Sequence, residues 1–141
     1  MQVKEVMTVN PETLDEKESL LHAAEKMKRL NVGLVPIVKE GAVCGVVTDR
    51  DIVLRAIAEK RDPETTPVRE VMSKAVACCR ENEDVKKCLG VMGEKKIRRL
   101  IVTDDRGKAV GVLSLGDIAT KTHELGYELL MRISEPSRPN R

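Results

Sequence analysis

The chain has 141 residues, 41% of them hydrophobic and 34% charged, and its 25 basic and 23 acidic side chains leave a formal net charge of +2. That length fits one ordinary domain or two very small ones, and so small a net charge, with the signs well mixed, marks no nucleic-acid footprint. No apolar run approaches the roughly 18 residues that cross a bilayer, and Met1-Gln2-Val3-Lys4-Glu5 lacks the apolar region of a signal peptide, so the expectation is a soluble, cytoplasmic protein with neither a nucleic-acid nor a membrane partner.

In chain order, Val3-Lys4-Glu5-Val6-Met7-Thr8 is followed by a short extended piece around Glu12-Thr13-Leu14. Leu20, Ala24, Met27 and Leu30 then fall at three- and four-residue spacing, which predicts a helix with one apolar face. Asp15 with Glu18 is its candidate cap. Two strands follow, Leu34–Val38 and Val43–Val47, joined by the glycine-containing turn Lys39-Glu40-Gly41. Pro36 removes a ladder donor, so its strand is expected at an edge or with an irregularity. From Asp49 to about Lys60, the pairs Ile52/Ala56 and Val53/Ile57 predict a second helix.

The same series then repeats. Val68-Arg69-Glu70-Val71-Met72-Ser73 returns 65 positions after Val3–Thr8, and Met92 and Ile97 answer Met27 and Val32 at that offset. After one extra residue the offset is 66, where Gly107, Gly111, Val112, Ser114, Asp117 and Ile118 match Gly41, Gly45, Val46, Thr48, Asp51 and Ile52. Val85, Leu89 and Met92 mark the first helix of the second copy, Leu100–Val102 and Val110–Leu113 its strands, and Ile118-Ala119 the start of its last helix. The fold class is therefore α+β, with two βαββα units: residues 1–62, a linker at 63–67, residues 68–126, and a C-terminal extension at 127–141 whose part from Ser134 is expected to be disordered. A unit of about 60 residues has only a marginal core, so the pair is expected to fold together.

Few side chains invite chemistry. With no Phe, no Trp and only Tyr127, a stacking platform for single-stranded bases is missing. Cys44, Cys78, Cys79 and Cys88 form no C-x-x-C pair and read as small apolar packing residues, with no metal site expected. His22 reads as a packed or partly exposed helix residue, and His123 as a residue at a helix end where its charge suits the dipole. Neither stands at a spacing that would activate a nucleophile, and no catalytic set or enzyme activity is expected.

The segment Gly41 to Ile52, Gly-x-Val-x-Gly-Val-Val-Thr-x-x-Asp-Ile, and its echo Gly107 to Ile118 resemble the closing motif of cystathionine-β-synthase (CBS) domains. Val32–Val38 and Ile97–Val102 resemble that family's middle strand, and the likeness covers about residues 3 to 124 twice over. Within the family the chain is similar to small bacterial proteins made of one CBS pair, the hypoxic response protein type among them. The resemblance implies two repeats packed face to face with pseudo-twofold symmetry, two clefts between them, and a regulatory module that takes an adenine nucleotide (AMP, ADP or ATP) with no cofactor required.

Carried over residue by residue, it implies that Asp51 and Asp117 hold ribose hydroxyls, that Thr48 and Ser114 reach phosphate, and that Thr8 and Ser73 approach the base. Arg50, Arg98 and Arg99 would add charge-assisted bonds to phosphate, and free N–H groups at the helix starts would attract it too. A simpler reading stands beside this one. Thr48-x-x-Asp51 and Ser114-x-x-Asp117 are also capping boxes, which need no ligand, Arg98 and Arg99 are also strand-edge residues, and Thr8 and Ser73 also suit turns. Gly33-Leu34 in the first copy answers Arg98-Arg99 in the second, which favours one preferred site over two equal ones. A homodimer and an unidentified protein partner complete the expectation, and a ligand-free dimeric interaction scaffold is the alternative.

Overall fold

The computed structural model describes residues 1–74 and 76–135. In chain order these form a 3₁₀ turn Val3–Glu5, β1 Thr8–Val9, β2 Leu14–Asp15, α1 Leu20–Leu30, β3 Leu34–Lys39, β4 Ala42–Thr48 and α2 Asp49–Ile52. A π turn Val53–Ile57, a 3₁₀ turn Val68–Glu70, β5 Cys78–Arg80, α3 Val85–Lys95, β6 Arg99–Thr103, β7 Ala109–Ser114, α4 Leu115–Lys121 and α5 His123–Ser134 follow. The mixed α and β content agrees with the class read from the sequence. The chain forms two compact units: Pro11–Val76 with Asp105–Ala109, and Met1–Asn10 with Ala77–Asp104 and the described residues from Val110 on. The sequence repeats and the compact units are thus different divisions of the chain, because each repeat's opening segment lies in the unit that holds the other repeat's helices and strands.

In the unit built on residues 11–76, the sheet runs β2-β3-β4, with β2 parallel and β4 antiparallel to β3. Glu40 and Gly41, at φ 52° and 83°, form the two-residue turn between β3 and β4. Pro36 lies in the central strand, and the irregularity expected of its strand is a register shift between Ile37 and Val38. The buried face of α1 is Leu20, Ala23 and Met27; Ala24, expected inward, is exposed. Its N-cap is Ser19, whose hydroxyl accepts from the His22 amide at 3.1 Å, and not Asp15, which instead accepts from Lys17 N at 3.0 Å to close the preceding turn. Asn31 ends α1 in the left-handed region. Val68, Val71 and Met72 of the second repeat complete this core beside Leu14, Leu20, Val35, Ile37 and Val47. In the helical segment after β4, Ala56 is buried and Ile52 half-buried, whereas Val53, Leu54 and Ile57 face solvent.

In the other unit the sheet order is β1-β7-β6-β5. Val3 and Val6 of the first repeat enter its core with Val85, Leu89, Met92, Leu100, Val102, Leu113, Ile118 and Leu129. Backbone bonds from Val3 N to Glu83 O and from Val85 N to Met1 O, both 2.9 Å, fasten the exchanged segment. The helix α5 extends the ordered fold beyond the second repeat. It docks where Gly126 faces Ala119, with no room for a Cβ, and where the Arg132 guanidinium lies over Gly93. His123 lies between two helices: it directly follows the α4 C-cap Thr122, the end expected to suit its charge, and it also opens α5. The expected disorder from Ser134 falls mainly outside the described residues, and Ser134 itself belongs to α5.

The thiols divide. Cys79 and Cys88 are buried, as packing residues should be, but Cys78 is exposed on the opposite face of the short strand β5. The hydrogen bond between Cys79 and Cys88, together with burial, pushes the Cys79 thiol well above the ordinary thiol range. No helix among the described residues is long and apolar enough to cross a membrane.

Candidate functional site

In the unit built on residues 11–76, β4 ends at Thr48, whose extended backbone (φ −114°) turns the chain into α2. Thr48 Oγ1 accepts from the Asp51 amide at 3.1 Å, and Asp51 Oδ2 accepts from Thr48 N at 3.0 Å, so the capping box is closed from both sides. The other early amides are also used: Asp49 N donates to Gly33 O at 3.0 Å and Arg50 N to Asp49 Oδ1 at 2.8 Å. The Asp49, Arg50 and Asp51 amides of the first turn of α2, expected to be free for phosphate, are therefore taken by the Gly33 carbonyl and by the Asp49 and Thr48 side chains. Gly33 is part of this arrangement, since a Cβ there would come within 2.9 Å of Asp49 Oδ2.

Ser73 joins this motif from the second repeat. Its N donates to Val46 O at 2.8 Å and its O accepts from Val46 N at 3.0 Å, which sets it beside the end of β4. Gly45 makes the approach possible, because a Cβ would lie 2.9 Å from Ser73 O. Arg55, on the π turn, reaches the same segment: Nη1 donates to Val71 O at 3.1 Å and to Met72 O at 3.3 Å. Its Nε also stands 3.9 Å from Asp51 Oδ1, the carboxylate oxygen not used by the cap. Arg50 is exposed and lines, with Asp49, Val53 and Leu54, a surface cavity of about 320 Å³.

The other unit builds the matching motif with different neighbours. Ser114 Oγ accepts from Asp117 N, and Asp117 Oδ2 accepts from Ser114 N, both at 3.0 Å. Thr8 arrives from the first repeat on β1, opposite Val112 of β7, and its hydroxyl donates to Asp117 Oδ1 at 3.4 Å. Gly111 gives β1 its close approach, a Cβ there falling 2.9 Å from Thr8 O. The Leu115 amide donates to Arg98 O at 2.9 Å, so the exposed Arg98 sits at the start of α4, and the exposed Arg99 opens β6 beside it.

Both capping boxes expected from the sequence thus exist, and each motif is joined by the Thr or Ser of the opposite repeat. The surrounding charges differ. Where one unit has Gly33, Asp49, Arg50 and Arg55, the repeat-equivalent positions of the other hold Arg98, Leu115, Gly116 and Lys121. Sequence reasoning missed Arg55, although its place four residues after Asp51 on a helix is the spacing at which opposite charges meet.

A protein-family model for the CBS domain matches residues 3–57 and again 68–124. The CBS domain-containing protein YhcV of Bacillus subtilis is 39% identical over 117 residues, covering 83% of this chain and 82% of that protein. Hypoxic response protein 1 of Mycobacterium tuberculosis is 30% identical over 117 residues, covering 82% and 81%. The crystal structure of the CBS domain pair of protein MJ0100 in complex with 5′-methylthioadenosine and S-adenosyl-L-methionine superposes with a TM-score of 0.77 at 27% identity, over 88% of this chain and 97% of that one. With two matched segments spanning most of its length, each carrying the Thr/Ser-x-x-Asp box on a strand-to-helix turn, the chain belongs to the CBS domain family.

Proposed function

We propose that this CBS pair is a regulatory module that binds an adenine nucleotide or a related adenosine ligand at its Thr/Ser-x-x-Asp motifs, and that occupancy is signalled to a partner or a dimer interface. The observation that carries the reading is the state of Asp117. One carboxylate oxygen is fixed by the Ser114 amide, and the other meets the exposed Thr8 hydroxyl at 3.4 Å. A carboxylate held this way offers acceptors to a vicinal diol without first having to be oriented. Arg98 and Arg99 are exposed at the start of α4 and β6, where they suit a phosphate. The adenosine ligands in the MJ0100 complex support the ligand class.

The charges favour the motif of Asp117 over that of Asp51, since the first has Arg98 where the second has Gly33, and Leu115 where the second has the Asp49 carboxylate. The module acts by binding and not by catalysis, as a homodimer, and population shift between conformations is the means of signalling. The alternative, a ligand-free dimeric scaffold, draws on the exposed Val53, Leu54 and Ile57.

Calorimetric titration with AMP, ADP, ATP and S-adenosylmethionine tests the reading. Saturable heat with at least one of them, lost or strongly weakened in Asp117→Ala, is expected. No heat and no rise in melting temperature at millimolar ligand would leave the scaffold reading in its place.

A further inference from the structure

The two motif carboxylates are held alike by their capping boxes but differ in what meets their second oxygen. For Asp117 it is the neutral Thr8 hydroxyl at 3.4 Å, and for Asp51 it is the Arg55 guanidinium, with Nε 3.9 Å from Oδ1. Arg55 is not simply a long side chain crossing a helix surface. Its Nη1 is tied to two carbonyls, Val71 O and Met72 O, immediately before Ser73. The Asp51 side chain is only 13% exposed, so little of it is open to solvent or ligand.

The backbone supports the same arrangement. Residues Val53–Ile57 form a π turn, whereas in the equivalent stretch of the other repeat α4 stays regular to Lys121 and then breaks at the extended Thr122. A π turn is uncommon and is found frequently at functional sites. Here it carries Arg55, buries Ala56, and leaves Val53 and Ile57 outside. The repeat-equivalent of Arg55 is Lys121, a point charge that lacks the fork needed to hold two carbonyls and face a carboxylate together.

We infer that Arg55 is a specificity-determining latch: it pairs electrostatically with the second oxygen of Asp51 across 3.9 Å, holds the Val71–Ser73 segment against that motif, and makes the Asp51 site bind adenosine ligands more weakly than the Asp117 site. This rests on the proposed reading that the motifs bind such ligands. A ribose arriving at Asp117 has only to turn aside a hydroxyl, which can then bond to the ligand itself. At Asp51 it must displace a cation that has its own anchors, and doing so loosens the carbonyls that precede Ser73.

The experiment is calorimetric titration of the full chain with AMP, comparing wild type, Arg55→Gln, Arg55→Ala, Asp51→Ala and Asp117→Ala. Wild type is expected to show a tighter site lost in Asp117→Ala and a weaker one lost in Asp51→Ala. Arg55→Gln ends where Nε stood, so it removes the charge and gives up the Nη1 bonds to the Val71 and Met72 carbonyls while keeping a polar side chain on the helix, and it should tighten the weaker site three- to tenfold with the tighter one unchanged. Arg55→Ala should do the same, and a circular dichroism melt shows whether each variant is folded. A weaker site that is unchanged or weakened in Arg55→Gln, with wild type still binding, would overturn the latch and leave the adenosine reading intact. If Arg55→Ala unfolds, the Gln variant decides alone. Absence of any binding in wild type would overturn the adenosine reading, and the latch with it.

Discussion

Thr8 and Asp117 are 109 residues apart in sequence, yet the Thr8 hydroxyl donates to the Asp117 carboxylate at 3.4 Å. The bond is long and exposed, so its contribution to folding is small; the cap that Ser114 forms with the same aspartate is shorter and reciprocal. Thr8→Val should therefore shift unfolding free energy by less than about 0.5 kcal/mol, and Ser114→Ala should cost about 1 kcal/mol. Urea titrations of the two variants check the order, and an equal cost would contradict it.

Val3 belongs to the first repeat by sequence and to the core of β5, α3, β6 and β7 by contact. Removing two of its carbons at about 0.8 kcal/mol each, with a cavity left behind, gives a cost of about 2 kcal/mol for Val3→Ala. Hydrogen exchange should quicken in α3 and β6 before it does in α1 and β3. The mirror variant, Val68→Ala, should reverse that order, because Val68 is buried with α1 and β3.

Two helical glycines should respond oppositely to the same change. A Cβ at Gly126 would lie 2.5 Å from the Ala119 backbone, whereas one at Gly90 meets nothing within 4 Å. Gly90→Ala should stabilise by about 0.5–1 kcal/mol through helix propensity. Gly126→Ala should destabilise by about 1–3 kcal/mol, since α5 must shift off α4. Thermal melts of the pair would reveal the contrast, and stabilisation by both would refute the tight α4–α5 contact.

Glu40 occupies the left-handed region at φ 52° in the turn between β3 and β4, where Asn followed by Gly is the favoured pair. Glu40→Asn should stabilise by up to about 1 kcal/mol. A higher urea midpoint with an unchanged slope is the expected signature.

Burial raises the Cys78 thiol, and the Cys88 contact with burial raises Cys79 further, so both are short of thiolate at neutral pH. Alkylation by iodoacetamide should be slow at pH 7, accelerate only above the ordinary thiol value of 9.0, and reach exposed Cys78 first. Cys79 and Cys88 should react only on unfolding, as mass spectrometry of the labelled peptides would show. Labelling of Cys79 in the folded protein would argue against the buried pair.

What could be read from the sequence was local. Periodicity and turn chemistry placed β3, β4, α1 and α3, and the repeat revealed that Thr48/Asp51 and Ser114/Asp117 were equivalent. Partnerships over long separations leave no trace in a periodic pattern, so the exchange of Val3 and Val68 between cores was not legible. Nor was the choice of Ser19 over Asp15 as cap, because both can accept from a backbone amide and only the geometry of the turn decides between them. The π turn escaped for a related reason: Ile52/Ala56 and Val53/Ile57 fit an ordinary helix equally well, and tertiary packing selected which pair went inward. Leu129 and Ile133, four residues apart, do carry a helical signal for α5, but they lie past the end of the repeat, where there is no second copy to compare.

The exchanged opening segments also set an order of events during synthesis. Once residue 76 has left the ribosome, β2, α1, β3, β4 and the Val68–Met72 segment that completes their core are all available. Residues 1–10 are made before α3, β6, β7 and α5 yet must wait for them before Val3 and Val6 have anything to bury against. A segment made before its partners is thus among the last to find its place.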